Sequence, residues 1–148
     1  MNSKICLIAI VLFLLPLYTC SSPPETTTVT RVIDGDTIII DTGQRVRYIG
    51  IDTPEIHPTL EDYGWEAWQV NRRLVEGKEV YLERDVSETD KYDRLLRYVY
   101  VDDIFVNAEL VRQGLAEAKA YPPDTKYQDH LEELEAEAKM AGRGIWAK

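Results

Sequence analysis

The stretch Ile51-Asp52-Thr53-Pro54-Glu55 decides how this chain is read. It sets two carboxylates, Asp52 and Glu55, three positions apart around a proline. Ahead of it, Gln44 to Ile51 places Arg45 and Arg47 among Val46, Tyr48, Ile49 and Ile51. Polar and apolar residues that alternate up to a proline predict a strand running into a rigid turn. Acids and arginines gathered at one strand end suit a site that holds a cation and an anion together. Cleavage of a phosphate ester needs such a site: a metal for the phosphoryl oxygen, a carboxylate for the water, guanidiniums for the developing charge.

Upstream, Val32-Ile33-Asp34-Gly35-Asp36-Thr37-Ile38-Ile39-Ile40 reads as two β-branched strands joined at Asp34-Gly35, with Asp36 just past the turn. Strands are expected at Val29–Ile33, Asp36–Asp41 and Gln44–Ile51, and Thr42-Gly43 supplies the second turn of this meander. Downstream, Tyr63, Ala67, Val70 and Leu74 recur at helical spacing, and Gly77 stops that helix. Trp65 and Trp68 flank the stripe. Packing is the first reading for both, nucleotide stacking the second. Lys78 to Asp85 reads as a strand, and Arg94–Val101 with Ile104–Val106 as a hairpin turned at Asp102-Asp103. Asn107 is expected to cap a short helix ending at Gly114. A last helix spans about Tyr127 to Ala141, with Leu131, Leu134 and Ala138 inward and a solvated acidic outer face. Five strands with three helices predict an α+β fold: a five-stranded Greek-key β-barrel of the oligonucleotide-binding type.

Three pieces occur in order: Asp34-Gly35-Asp36-Thr37, then Arg47-x4-Asp52-Thr53-Pro54-Glu55, then Asp90-Lys91-Tyr92-x-Arg94. Together they resemble the staphylococcal-nuclease-like, or thermonuclease, family. Asn107 to Ala116 and Gly144-Ile145-Trp146 also match, so the resemblance runs from about Thr28 to Trp146. It implies the same barrel and a calcium-dependent phosphodiesterase acting on DNA and RNA. The 5′ oxygen would leave and the product would carry a 3′ phosphate.

The residues and the resemblance assign the site together. Asp36 and Asp52 are the metal-ligating carboxylates for one Ca2+, since hard cations take oxygen donors. By resemblance the Thr53 carbonyl completes the protein's share. Glu55 is the general base, or the group that positions the attacking water. Arg47 and Arg94 are the phosphate clamps, because a planar guanidinium gives two parallel hydrogen bonds to phosphate oxygens. By resemblance Lys91 and Tyr92 lie near a terminal phosphate, and Tyr121 contacts the nucleotide. Asp34 either shapes its turn or adds a further acid. Arg45, Arg97 and His57 read as solvated. Asp93 stands where the family has glycine, and the Ala120–Pro123 loop differs in length from the family pattern.

The chain has 148 residues, enough for one domain, and a net charge of −9. Lys4 precedes an apolar run from Ile5 to Leu15, followed by Pro16. Eleven apolar residues fit a signal-peptide core and fall short of a bilayer span. Residues 1–20 are therefore expected to be a signal peptide, 21–27 a tether and 28–148 the domain, with a short membrane anchor as the rival reading. Leu17-Tyr18-Thr19-Cys20 loosely resembles a lipoprotein box, which makes Cys20 a lipidation candidate. The expected protein is secreted or surface-tethered, and monomeric. Both cysteines, Cys6 and Cys20, lie in this segment, so the domain has neither a disulfide nor a cysteine-based zinc site. Without Lys4 the 17 basic residues become 16 against 26 acids, a net of −10. Such a balance opposes broad attraction to nucleic acid and makes capture depend on a local cationic cleft and a bound ion. Two rival readings use the same residues. A binding module on the same barrel would not need the full acid and arginine set. A calcium-binding surface protein would not need the arginines.

Overall fold

The computed structural model describes residues 25–147. The expected signal segment, Cys20 and the first part of the tether lie outside the described residues. Strand β1 (Glu25–Val32) begins four residues before the expected Val29. The reason is long-range: Glu25 to Thr28 pair antiparallel with Leu82 to Glu79 of β5 (Glu79–Glu83), so residues 25–27 belong to the barrel and not to a tether. The meander continues through β2 (Thr37–Ile40) and β3 (Arg45–Tyr48). After β5 the chain forms β6 (Leu95–Val101), which turns back into the short β7 (Ile104–Phe105).

The sheet order is β3-β2-β1-β5-β6-β7, and β3 also pairs in parallel with β6. That pairing closes five strands into a barrel, while β7 extends β6 as a hairpin arm. A closed barrel leaves few unpaired strand edges. Its interior is aliphatic: Val29, Ile38, Val46, Val80 and Val99 are at most 1% exposed. Each such side chain contributes roughly 1.5–3 kcal/mol by leaving water.

Helix α1 (Gly64–Val75) packs on β1 and on α2 (Val106–Arg112), which in turn packs on β6 and α3 (Gln128–Met140). A short two-stranded sheet, β4 (Ile51–Asp52) with β8 (Glu117–Ala118), ties the barrel to the α3 side. Gly144–Trp146 form a closing 3-10 turn.

Two expectations are corrected. Asn107 is not a helix cap: α2 starts at Val106 with Phe105 at the cap position. Asn107 is fully buried, accepts a hydrogen bond from Val99 N at 3.0 Å and donates to Ile49 O at 2.8 Å. It joins β6 to the turn that follows β3. Arg97 is not a solvated strand residue either. It is 3% exposed, pairs with Glu25 and Glu88, and donates to the carbonyls of Glu88 and Leu96. Four acceptors compensate its burial, as a buried guanidinium requires.

Candidate active site

The Asp34-Gly35-Asp36 turn presses against the Asp52-Thr53 segment. A side chain at Gly35 would lie 2.6 Å from Thr53 Oγ1 and 2.8 Å from the Ala67 methyl, so only glycine lets the turn come this close. Asp34 Oδ1 accepts from Asp36 N at 3.1 Å, the usual way aspartate stabilises such a turn. Asn71 of α1 backs the turn from behind, donating to Asp34 O at 3.1 Å and accepting from the Tyr48 hydroxyl at 2.8 Å.

Asp36 is 5% exposed, and its Oδ2 accepts from Thr53 N at 3.0 Å. Arg47 sits between the acids. Its Nη2 lies 3.1 Å from Asp36 Oδ2 and 2.8 Å from Asp52 Oδ1. Its Nη1 donates to the carbonyls of Tyr48 and Ile51 at 2.8 and 2.9 Å. One guanidinium thus fixes two carboxylates that lie sixteen positions apart. Burial pushes the Asp36 carboxyl up to about 6; Arg47 opposes the shift and Asp34 adds to it. Burial also raises Asp34.

Glu55 follows on an exposed turn. Its backbone is held at both ends by Glu61: Glu55 N donates to Glu61 Oε2 and Glu61 N donates to Glu55 O, each at 2.9 Å. The start of α1 braces the turn, since a side chain at Gly64 would lie 2.5 Å from Glu55 O. The Glu55 carboxyl is raised above its ordinary value by partial burial, then by Asp36 and Asp52, with Arg47 pulling the other way. That direction makes it a better proton acceptor than an ordinary glutamate.

Arg47 also lines a cavity of about 440 Å³, whose wall does not include Asp36, Asp52 or Glu55. Arg47, Arg94, Lys91, Tyr92 and Tyr121 all line it, so both clamps and all three expected contact residues face one space. Arg94 is held by Asp90, whose Oδ2 accepts from its Nε and Nη2 at 2.7 Å. Its guanidinium lies 5.5 Å from the Tyr92 ring, and Lys91 Nζ lies 4.9 Å from the same ring. Tyr92 and Tyr121 are exposed, at 68% and 43%. Asp124 anchors the loop beneath them by accepting from Val86 N and Ser87 N at 2.9 and 2.8 Å. Asp93 has φ 61°, in the left-handed region that glycine adopts freely and that aspartate tolerates better than most residues.

Lys119 is a site residue that the sequence reading missed. Its Nζ donates to Asp52 Oδ2 at 2.6 Å and lies 5.6 Å from the Tyr121 ring. The Asp52 hydrogen bond raises the Lys119 pKa. The pairing of Asp52 with Glu117 across β4 and β8 delivers the lysine, sixty-seven positions downstream of its partner. Only an alternating run after Gly114, Glu117-Ala118-Lys119, could have signalled it.

The donor set fits a hard cation. Asp36 and Asp52 offer carboxylate oxygens, and Thr53 a backbone carbonyl on the same turn. Asp36 keeps a raised pKa even beside Arg47, so this buried carboxylate has room for further positive charge. Among the described residues no three acidic, histidine or cysteine side chains converge as a metal cluster. The protein's share would thus be two carboxylates and a carbonyl, leaving positions for water and a phosphate.

The family model described as "Staphylococcal nuclease homologue" matches residues 45–148. The chain is 41% identical over 129 residues to the thermonuclease of Staphylococcus hyicus, covering 83% of this chain and 76% of that protein. It is 42% identical over 130 residues to the thermonuclease of Staphylococcus intermedius, covering 84% of this chain and 77% of that one. With the endonuclease YncB of Bacillus subtilis it shares 43% over 129 residues, 82% of this chain and 61% of that protein.

Proposed function

The chain belongs to the staphylococcal nuclease homologue family, and from that premise we propose that it is a calcium-dependent nuclease hydrolysing DNA and RNA. Relatives named thermonuclease and endonuclease support this reading. So does the bridging of Asp36 and Asp52 by Arg47 at 3.1 and 2.8 Å, beside a cavity that Arg94 also lines. That bridge is the observation that carries the proposal.

In this mechanism the phosphodiester enters the cavity and meets two guanidiniums. Arg47, its Nη atoms held by two acids and two carbonyls, offers its Nε–H to a phosphoryl oxygen in one orientation. Arg94, fixed by Asp90, contacts the phosphate from the other side and donates to the departing 5′ oxygen. Asp36, Asp52 and the Thr53 carbonyl would hold calcium, which when bound supplies a Lewis acid for a phosphoryl oxygen. Glu55 orients a water and takes its proton as the oxygen attacks phosphorus. The P–O5′ bond breaks, the 5′ oxygen takes up a proton from solvent while Glu55 returns its own to solvent, and the phosphate stays on the 3′ side. Lys91 and Tyr92 meet a terminal phosphate, and Tyr121 contacts the nucleotide. Preorganised donors of this kind typically contribute roughly 10²–10³ each in turnover.

We further propose that residues 1–20 direct export, that Cys20 is the point of any lipid anchor, and that the domain acts as a monomer. The apolar run Ile5–Leu15 supports the export reading.

The test is end-group analysis of single-stranded DNA incubated with the full chain. Cleavage in calcium, lost in chelator, with 3′-phosphate ends is the expected result. Ends carrying 3′-hydroxyl would keep the enzyme but reverse the leaving group. No cleavage by the folded chain in calcium, magnesium or manganese would leave the binding-module reading.

A further inference from the structure

Outside the cavity, the outer face of α1 carries a second aromatic feature. Trp65 and Trp68 stack with ring centroids 4.6 Å apart and planes 24° from parallel. Trp68 is pinned, its Nε1 donating to Val32 O at 3.2 Å. Trp65 lies outermost, 49% exposed. The Arg72 guanidinium sits 5.1 Å from the Trp68 ring and is itself held by Glu76 at 2.7 Å. Glu76 is fixed in turn by accepting from Val32 N at 3.1 Å. The arrangement is therefore locked to the end of β1 at two points.

A single exposed aromatic needs no explanation. This pair differs in three respects. It is rigid, it is stacked, and its surroundings are cationic in an acidic protein. The chain carries a net −9, yet Arg31, Arg72 and Arg73 border the tryptophans against Glu76. Among the described residues Arg31 and Arg73 form no ion pair. Aromatic faces interleaved with guanidiniums match single-stranded nucleic acid, whose bases stack while its phosphates take the cations.

Position strengthens the match. A hollow of about 450 Å³ is lined by Trp65, Trp68, Arg31 and Arg72, together with Ile56 and His57. Ile56 and His57 follow Glu55 directly, and Gly64, just before Trp65, abuts the Glu55 carbonyl. Arg31 lies on the strand that leads into the Asp34-Gly35-Asp36 turn. The lining thus joins, along the chain, the segments that carry the acids of the candidate active site.

We propose that Trp65, stacked on Trp68 and flanked by Arg31 and Arg72, is a second subsite that holds a base of a single-stranded nucleic acid beyond the reacting phosphate. The inference rests on the nuclease reading and adds to it a strand path along α1. It makes the protein prefer long or unpaired strands over short or duplex ones, because only an unstacked base can lie on the indole.

The test uses the full chain and a fluorescently labelled thymidine dodecamer. In chelator, where no cleavage is expected, anisotropy gives the binding constant. Trp65→Ala is expected to weaken binding roughly 5- to 100-fold, the range that base–aromatic stacking supports, and Trp65→Tyr to recover most of it. In calcium, the ratio of kcat/KM for the dodecamer to that for a thymidine dinucleotide should fall by a similar factor in Trp65→Ala. Equal binding by wild type and Trp65→Ala, no binding by either, or failure of tyrosine to rescue would overturn the subsite. Failure of the wild type to cleave either substrate would instead sink the nuclease reading, with the chelator arm still judging the platform.

Discussion

The two sides of the candidate active site are built on opposite principles. On the floor, Asp36 and Arg47 are largely hidden from solvent and bonded on every side. On the rim, Lys91, Tyr92 and Tyr121 stand in solvent, Lys91 against the Tyr92 ring and Lys119 against the Tyr121 ring. The floor has lost its freedom before substrate arrives, which is what charge stabilisation in a transition state requires. The rim keeps its freedom, which suits the capture of a flexible chain with variable bases. Changes on the floor should therefore alter turnover and metal binding, and changes on the rim should alter affinity.

The sharpest break in that contrast would come at Arg47. Arg47→Lys keeps the charge and loses the planar fork, so turnover should fall by about 10²–10³ with KM within a few-fold. A rise in KM with intact turnover would place Arg47 with the rim.

Asp36 tests whether the floor is maintained at a cost in stability. Its folded carboxyl titrates at about 6 and its ordinary value is 3.8. The folded state therefore holds a proton more tightly than the unfolded one, and metal-free stability falls as pH rises from about 4 to 6. Asp36→Asn should remove that slope, raise stability at pH 7 in chelator by about 1–3 kcal/mol, and abolish cleavage. Urea melts at pH 5 and pH 7 check it; an equal or lower stability of the variant at pH 7 would contradict it.

From the rim side, Lys119 reaches the floor through Asp52. It neutralises a carboxylate that would also help hold calcium, so it should compete with the ion. Lys119→Ala should tighten calcium binding by roughly 2- to 5-fold in calorimetry, the scale of an exposed ion pair. Weaker binding would mean that the lysine positions Asp52 for the metal.

The smallest effect is expected at Asp93, on the rim. With φ 61°, Asp93→Gly removes a left-handed strain and one negative charge between the cavity-lining Tyr92 and Arg94. Thermal melts should show a gain of about 0.5–1 kcal/mol, with KM lowered slightly. A loss of stability would show that the aspartate side chain supports its turn.

The floor was legible in the sequence because it is local. Asp36, Asp52, Thr53 and Glu55 sit on turns announced by Asp-Gly and Thr-Pro, and Arg47 lies on the strand between them. The barrel was legible for the same reason, as short β-branched runs separated by turn residues. What escaped depends on distant pairing. Arg97 reads as one more strand arginine until Glu25 and Glu88 enclose it. Asn107 reads as a cap until Val99 and Ile49 claim its side chain. Asn71 carries no local signature and Lys119 only the short Glu117-Ala118-Lys119 alternation; their partners lie across the fold. The start of β1 was placed late because a run of threonines gains its strand character only from β5.

The central claim is that the buried floor and Glu55 together hydrolyse a phosphodiester. Initial rates on single-stranded DNA, in calcium, for the full chain and for Glu55→Gln test it most directly. The account predicts calcium-dependent cleavage in the wild type and a loss of about 10²-fold or more in the variant, with both proteins equally folded. Cleavage untouched by the substitution would contradict the role of Glu55, and a folded wild type that does not cleave would contradict the claim itself.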